Sequence, residues 1–500
     1  MSVMTVKVEY GDFQTPLELA ERACRVLSEM GIKASSLLEP TCGLGRFLKA
    51  GVLAFAPAKA LAFDINSEYV RVAASDIDRL QIQTPVQISQ ANFFSQNWPS
   101  IIRELPEPLL VLGNPPWVTN AALGAIGSAN LPVKSNFQNH SGLDAMTGKS
   151  NFDISEYMLI HLSEALQGRH ATLAMLCKTA VARKVMAYCW KRQLEMSDCH
   201  IFPIDAEKSF GASVEACLFV ASFNGRSRER SCIVHWECRS DSAGAHIGYR
   251  DGLLVSNVDV YDRWCELRGQ SVYNWRSGIK HDCSKVMELS ERSGKLVNGL
   301  GAVVEIEDIF LYPLLKSSAL AGSPKAGKRL MLVTQREIGE DTSRIASLAP
   351  KTWEYLLMHG ALLEQRGSVI YRNRPRFAIF GVGSYSFAPW KVAISGFYKR
   401  LRFSVIGPDS GKPVVLDDTS YFLPFQNRED AEIIAAVLNS EPAAEFYSSL
   451  IFWDAKRPIT VDVLSQLKIE KLADMLGVNV DEGRKSGQQS AFTFTPDTVF

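Results

Sequence analysis

The sequence predicts a doubly wound α/β domain followed by a second, mixed α/β domain. Three observations carry this. Short apolar runs alternate with helical patterns through the first half of the chain. A glycine turn follows the first of those runs. The alternation fades beyond about residue 265 of 500, and that length suits two domains.

The runs 36–39, 60–65, 86–90, 109–112, 171–177, 200–204 and 216–223 read as seven strands of a mostly parallel sheet. Helical patterns at 16–30, 46–53 and 154–166 intervene. The domain is expected to end near Phe223, with a hairpin continuing to about Arg250. Segment 119–150 is rich in Gly, Asn, Ser and Thr. Loops of that length are usually functional, so a lid or DNA-contacting loop is expected there, against a plain insertion.

Composition excludes several classes. No stretch of about 18 apolar residues is present, so no membrane span is expected. Residues 1–11 lack a signal-peptide pattern. The ten cysteines include no C-x-x-C pair and all lie at or before Cys283, which fits neither a disulfide framework nor a zinc cluster. A reduced, cytoplasmic protein that uses no metal is expected. Formal net charge is zero, so any nucleic-acid surface must be local.

Asn114-Pro115-Pro116-Trp117 is the most informative stretch. It follows the apolar run 109–112 and Gly113, as a buried strand that stops abruptly. The prolines fix the chain direction and hold Asn114 at the strand's C-terminal edge, where open α/β sheets bind ligands. The Asn side-chain oxygen and a proline carbonyl can accept both hydrogens of a planar NH2 group while the aromatic ring stacks on it. Adenine's exocyclic amine is such a group. Alone, the tetrapeptide reads equally well as a strand-ending turn.

Other elements join it. Glu39-Pro40-Thr41-Cys42-Gly43-Leu44-Gly45 is a strand end and a glycine turn, where Gly43 and Gly45 let a ligand approach the backbone. Asp64 and Ile65 end the next strand about twenty residues on, and an acid there commonly takes a ribose hydroxyl pair. The turn lacks the full G-x-G-x-x-G pattern and a phosphate-loop Lys, which favours a nucleoside ligand without phosphates. Asn92 and Phe93 end the third strand, with an adenine edge and face as the expected partners; a turn residue and a core residue are the plainer readings.

In this order the chain resembles the S-adenosylmethionine-dependent DNA adenine-N6 methyltransferases, in the gamma-like arrangement of restriction–modification enzymes. The likeness runs motif by motif over about residues 10–225, with Thr41 in place of the first glycine of a three-glycine motif. It implies a seven-stranded Rossmann-like catalytic domain, residues 1–250, and a target-recognition domain, residues 251–500. It implies that Phe13-Gln14-Thr15-Pro16 closes over the methionine end of the cofactor, with Thr15 and Pro16 in contact. Glu39 then faces the methionine or sulfonium side, and Asp64 the ribose. Trp117 is implied to stack on one face of a flipped adenine and Phe210 to cover the other, with a loop-end core residue as the plainer reading of Phe210. Asn151 and Phe152 are further pocket candidates; Asp153 or Ser150 is expected to cap the helix at 154.

The second half carries the expected DNA surface. Residues 366–402 hold eight basic residues and no Asp or Glu. Arg366, Arg372, Arg374, Arg376, Lys391, Lys399 and Arg400, with Lys280, Lys456 and Arg457, are candidate phosphate contacts. Aromatics are interleaved, and alternating strands are expected to send them to the core and the cations to solvent. The tail from about Val478 is polar enough to expect partial disorder. A monomer acting on double-stranded DNA is expected, with a cognate endonuclease as a separate chain. The competing readings are a protein-glutamine or RNA amino-group methyltransferase, and a non-catalytic DNA-recognition subunit.

Overall fold

The computed structural model describes residues 13–118, 153–223, 229–322 and 328–480. The chain divides into two compact units, Met1–Val258 and Asp259–Phe500.

The first unit is built on one sheet. Its strands are β1 (Ser36–Glu39), β2 (Lys59–Asp64), β3 (Val86–Gln90), β4 (Leu109–Gly113), β5 (Ala171–Lys178), β6 (Ser197–Ile204), β7 (Ala216–Ser222), β8 (Ser231–His235), β9 (Ala243–Arg250) and β10 (Leu253–Val255). The order is β10-β9-β8-β6-β7-β5-β4-β1-β2-β3. All seven expected strands form and are contiguous. The first five are mutually parallel, and β7 runs antiparallel between β5 and β6. The expected hairpin to Arg250 forms as β8 and β9, with β8 parallel to β6, and β10 adds one strand beyond it to complete ten.

Chain direction across the sheet reverses between β1 and β4. From β1 the chain steps outward to β2 and β3, then returns to the other side of β1. That switch opens a crevice at the strands' C-terminal ends. Both flanking strands are buried throughout, as continuous apolar runs in a two-sided parallel sheet should be. Helix α1 (Leu17–Glu29) buries Leu19, Ala20, Ala23, Cys24, Val26 and Leu27, a helical stripe facing the same core. Gly45, at φ +73°, precedes helix α2 (Arg46–Phe55). A Cβ there would stand 2.8 Å from Ala73 Cβ, so glycine is required by space as well as by φ. Asn66 caps helix α3 (Ser67–Asp78) through Glu68 and Tyr69 N–H. Asp153 caps the helix Ile154–Ala165 by accepting from Ser155 N–H, one of the two caps expected.

The second unit contains two sheets. One joins Arg276–Ser277, Ser420–Phe425, Trp390–Ser395 and Ser404–Ile406, in that order, all antiparallel. The other has six strands, antiparallel except where Leu311–Leu315 meets Val415–Leu416. Segment 366–402 departs from expectation. Only Trp390–Ser395 within it is strand; the rest is mainly turns and short 3-10 helix. Its aromatics are not sorted by alternation: Phe377 is buried from a turn at φ +63°.

All ten cysteines are free thiols. Among the described residues no helix is long and apolar enough to cross a membrane.

Candidate active site

Three elements meet at the crevice: the turn after β1, the end of β2 and the turn after β4. Cys42 N–H donates to the Phe63 carbonyl at 2.8 Å, tying the first turn to β2. Asp64 Oδ2 accepts from Gly43 N–H at 2.8 Å and Oδ1 from Asn66 N–H at 2.9 Å. Its carboxylate thus holds the turn while lining the cleft. Gln14 Oε1 accepts from Leu44 N–H at 3.1 Å, bringing residues 13–15 over the same turn.

The cleft spans about 780 Å³ of empty space, open solvent at its mouth included. Thr15, Glu39, Pro40, Thr41, Gly43, Asp64, Ile65, Phe93, Asn114 and Pro116 line it. The structure thus gathers most of the expected cofactor residues at one place. Pro16, Gly45 and Asn92 are not among the lining residues. The Pro16 carbonyl accepts from Leu19 and Ala20 N–H and starts α1. Asn92 is a correction: its Oδ1 accepts from Phe94 N–H at 2.9 Å and caps a 3-10 turn, so the plainer reading holds. Phe93 reaches the cleft and also packs on Trp98, ring centroids 4.7 Å apart.

Three buried polar atoms around the cleft have no partner among the described residues: Glu39 Oε2, Thr41 Oγ1 and Asn114 Oδ1. Such atoms are costly unless a ligand or an ordered water satisfies them. Burial, with Asp64 nearby, holds the Glu39 carboxyl well above the usual carboxylate range. A cationic ligand group beside it would restore the ionised form. Neighbouring Cys42 has its thiol pushed up by burial, then by Glu39, which suits a packing residue and not a nucleophile.

Asn114 Nδ2 donates to the Phe13 carbonyl at 3.1 Å and Thr15 Oγ1 at 3.2 Å. Those bonds orient the amide, leaving Oδ1 as the acceptor for a ligand. Trp117 is buried, and its indole N–H donates to the Leu176 carbonyl at 3.3 Å. Phe13, Trp117 and Phe210 form one aromatic cluster. The Trp117 and Phe210 rings meet edge-on with centroids 5.1 Å apart. A sandwiched base needs two van der Waals gaps, roughly 7 Å. Here the two expected walls therefore touch each other, and one must withdraw to admit a base between them.

Asn151, Phe152 and the lid expectation for 119–150 lie outside the described residues. Glu156 is buried and paired with Lys184 at 2.7 Å, a structural role. Phe13 and Gln14 of the expected closing motif line the cleft too; Arg46, Asn66, Tyr69 and Met158 also line it, though sequence reasoning did not select them. Asn66 had a readable signal, two residues beyond Asp64 at a helix start. Met158 had none, because it reaches the cleft only through tertiary packing.

In the second unit, Arg372, Arg374, Lys399, Arg400 and Lys456 are exposed. Arg376 pairs with Glu364 at 2.9 Å, Lys280 with Asp282 at 3.4 Å, and Arg457 with Asp418 at 3.6 Å. Arg366 is a correction. It is half-buried over the Tyr371 ring and donates to the Leu363, His281 and Ala378 carbonyls, so it braces the fold. Lys391 is a second correction: it is 1% exposed and its Nζ donates to the Ala388 carbonyl at 2.5 Å. Burial pulls its pKa down to about 7.

No family model matches the chain. Type II methyltransferase M.NspV of Nostoc sp. is 47% identical over 481 residues, spanning 95% of this chain and 99% of that relative. Among solved structures, the type IIL restriction-modification enzyme MmeI in complex with DNA aligns with a TM-score of 0.50 at 11% identity. That alignment spans 93% of this chain and 73% of the other, and at such low identity the likeness is one of fold.

Proposed function

The chain belongs to the type II methyltransferases, which use S-adenosylmethionine, and we propose that it methylates adenine N6 within a defined sequence of duplex DNA. In this reading it is the modification enzyme of a restriction–modification system, with any cognate endonuclease on another chain. The observation that carries the reading is Asn114 Oδ1, a buried acceptor with no partner among the described residues, at the edge of the cleft that Asp64 and the glycine turn line.

The cleft residues fit the cofactor by their chemistry. Thr15, Glu39 and Thr41 suit its methionine end, Asp64 its ribose, and Ile65 and Phe93 its base. When bound, S-adenosylmethionine supplies an activated methyl group. The chain's own residues prepare the acceptor. Adenine N6 is a poor nucleophile because its lone pair is delocalised into the ring. Asn114 Oδ1 and the Pro115 carbonyl accept the two N6 hydrogens, which orients the lone pair and favours the developing ammonium. The rest is positioning, without a covalent enzyme intermediate. The target base must leave the duplex to reach this site, with Trp117 as the stacking wall.

An NH2-accepting pocket also fits a glutamine amide or an RNA base, so the product decides. The purified protein is incubated with tritiated S-adenosylmethionine and mixed-sequence duplex DNA, and the nucleosides are separated. Label in N6-methyldeoxyadenosine is the expected result. Label in cytosine, or in no DNA base while the cofactor binds, overturns the reading.

A further inference from the structure

The residue after the two prolines is held from both ends by β5. Trp117's indole N–H donates to the Leu176 carbonyl at 3.3 Å, and its own carbonyl accepts from Lys178 Nζ at 3.1 Å. Lys178 is in turn held by Asp153, whose Oδ2 accepts from the same Nζ at 2.6 Å. The other oxygen of Asp153 accepts from Ser155 N–H at 3.1 Å and Ser155 Oγ at 2.5 Å. Ile154 N–H donates to the Val118 carbonyl at 2.8 Å, so the next residue is fixed to the same helix start. One ammonium group thus joins the acceptor turn, the end of a central strand and a helix N-cap.

Phe210 is held differently. It is the last residue of a five-residue helix, Ala206–Phe210, and Gly211 follows in the left-handed region at φ +64°. It is only half-buried, while Trp117 is 5% exposed. Of two walls in contact, Trp117 is therefore the anchored one.

We propose that Lys178, held by Asp153, is a positioning residue for methyl transfer. It fixes Trp117 as the stationary wall of the acceptor site and so keeps Pro115 and Asn114 in accepting geometry. A base entering between the rings displaces Phe210, not Trp117. This rests on the reading of Asn114–Trp117 as the site of the acceptor amine. Lys178 is not among the residues lining the cleft, so it acts through Trp117 and not on substrate.

The test uses full-length protein labelled with 5-fluorotryptophan, with the Trp117 signal assigned from Trp117→Phe. Lys178→Met keeps the chain length and removes the donors. It should shift or broaden the Trp117 fluorine resonance. Single-turnover methyl transfer at saturating DNA and cofactor should fall about 100-fold, the scale expected from an ångström of misplacement. The S-adenosylmethionine dissociation constant should stay within about twofold, since the lysine does not line the cleft. Lys178→Arg, which can still donate to both oxygens, should recover most of the rate. Asp153→Asn keeps the cap oxygen but drops the charge; it is read in the same way and stands in if the methionine variant does not fold. An unchanged fluorine signal overturns the anchor. A changed signal with an unchanged rate overturns the positioning role. Equal loss of cofactor binding and rate, without rescue by arginine, also overturns it. Failure of the wild type to label adenine contradicts the acceptor reading instead, and the fluorine result then judges the anchor by itself.

Discussion

At the scale of single residues, Asp64 has two tasks that mutation can separate from transfer. It holds the Gly43 and Asn66 N–H groups and lines the cleft. Asp64→Ala should weaken S-adenosylmethionine binding by about 10- to 100-fold, the range for losing hydrogen bonds to a charged group. Equilibrium binding checks this, and an unchanged dissociation constant removes Asp64 from the cofactor site. Residues such as this were legible because a strand, a turn and an acid stand in order along the chain. Asn92 was not legible in the same way. An Asn at a strand end can cap or bind, and only the bond to Phe94 N–H shows which. Trp117 was legible as an aromatic beside the prolines, but its anchoring on β5 joins residues some 60 positions apart.

At the scale of elements, the strands around the switch were readable because a two-sided parallel strand must be apolar throughout, as β1 and β4 are. The sheet's extension was less so. β9, Ala-Gly-Ala-His-Ile-Gly-Tyr-Arg, carries weak alternation and low strand propensity, and neighbouring strands decide its state. The strand Trp390–Ser395 shows the opposite failure, since it takes a lysine into the core. With Lys391 pulled to about 7 by burial, the folded protein sheds that proton far earlier than the unfolded chain does. Between about pH 7 and 10 the unfolded state therefore binds more protons, and this residue's contribution to stability rises with pH. Lys391→Met should accordingly stabilise the protein by a few kcal/mol near pH 7, with the gain shrinking towards pH 10. Unfolding curves of both proteins across that range check it; a pH-independent difference contradicts it.

At the scale of the whole molecule, zero net charge places any DNA surface in local patches. Arg372, Arg374, Lys399 and Arg400 are exposed, whereas Lys391 and Arg366 serve the fold. Replacing those four by glutamine should weaken duplex binding and flatten its salt dependence, by up to about 0.9 in slope for each phosphate no longer neutralised. Unchanged affinity and slope would place the DNA surface elsewhere. Asn114 is proposed as the amine acceptor beside the cofactor cleft. Asn114→Ala is prepared beside wild type, and cofactor binding and adenine methylation are measured on the same samples. Transfer should fall by at least about 100- to 1,000-fold, the scale of removing one transition-state hydrogen bond, and S-adenosylmethionine affinity by much less, since only the bonds to Phe13 and Thr15 are lost on that side. Near-normal methylation by that variant would remove Asn114 from that role.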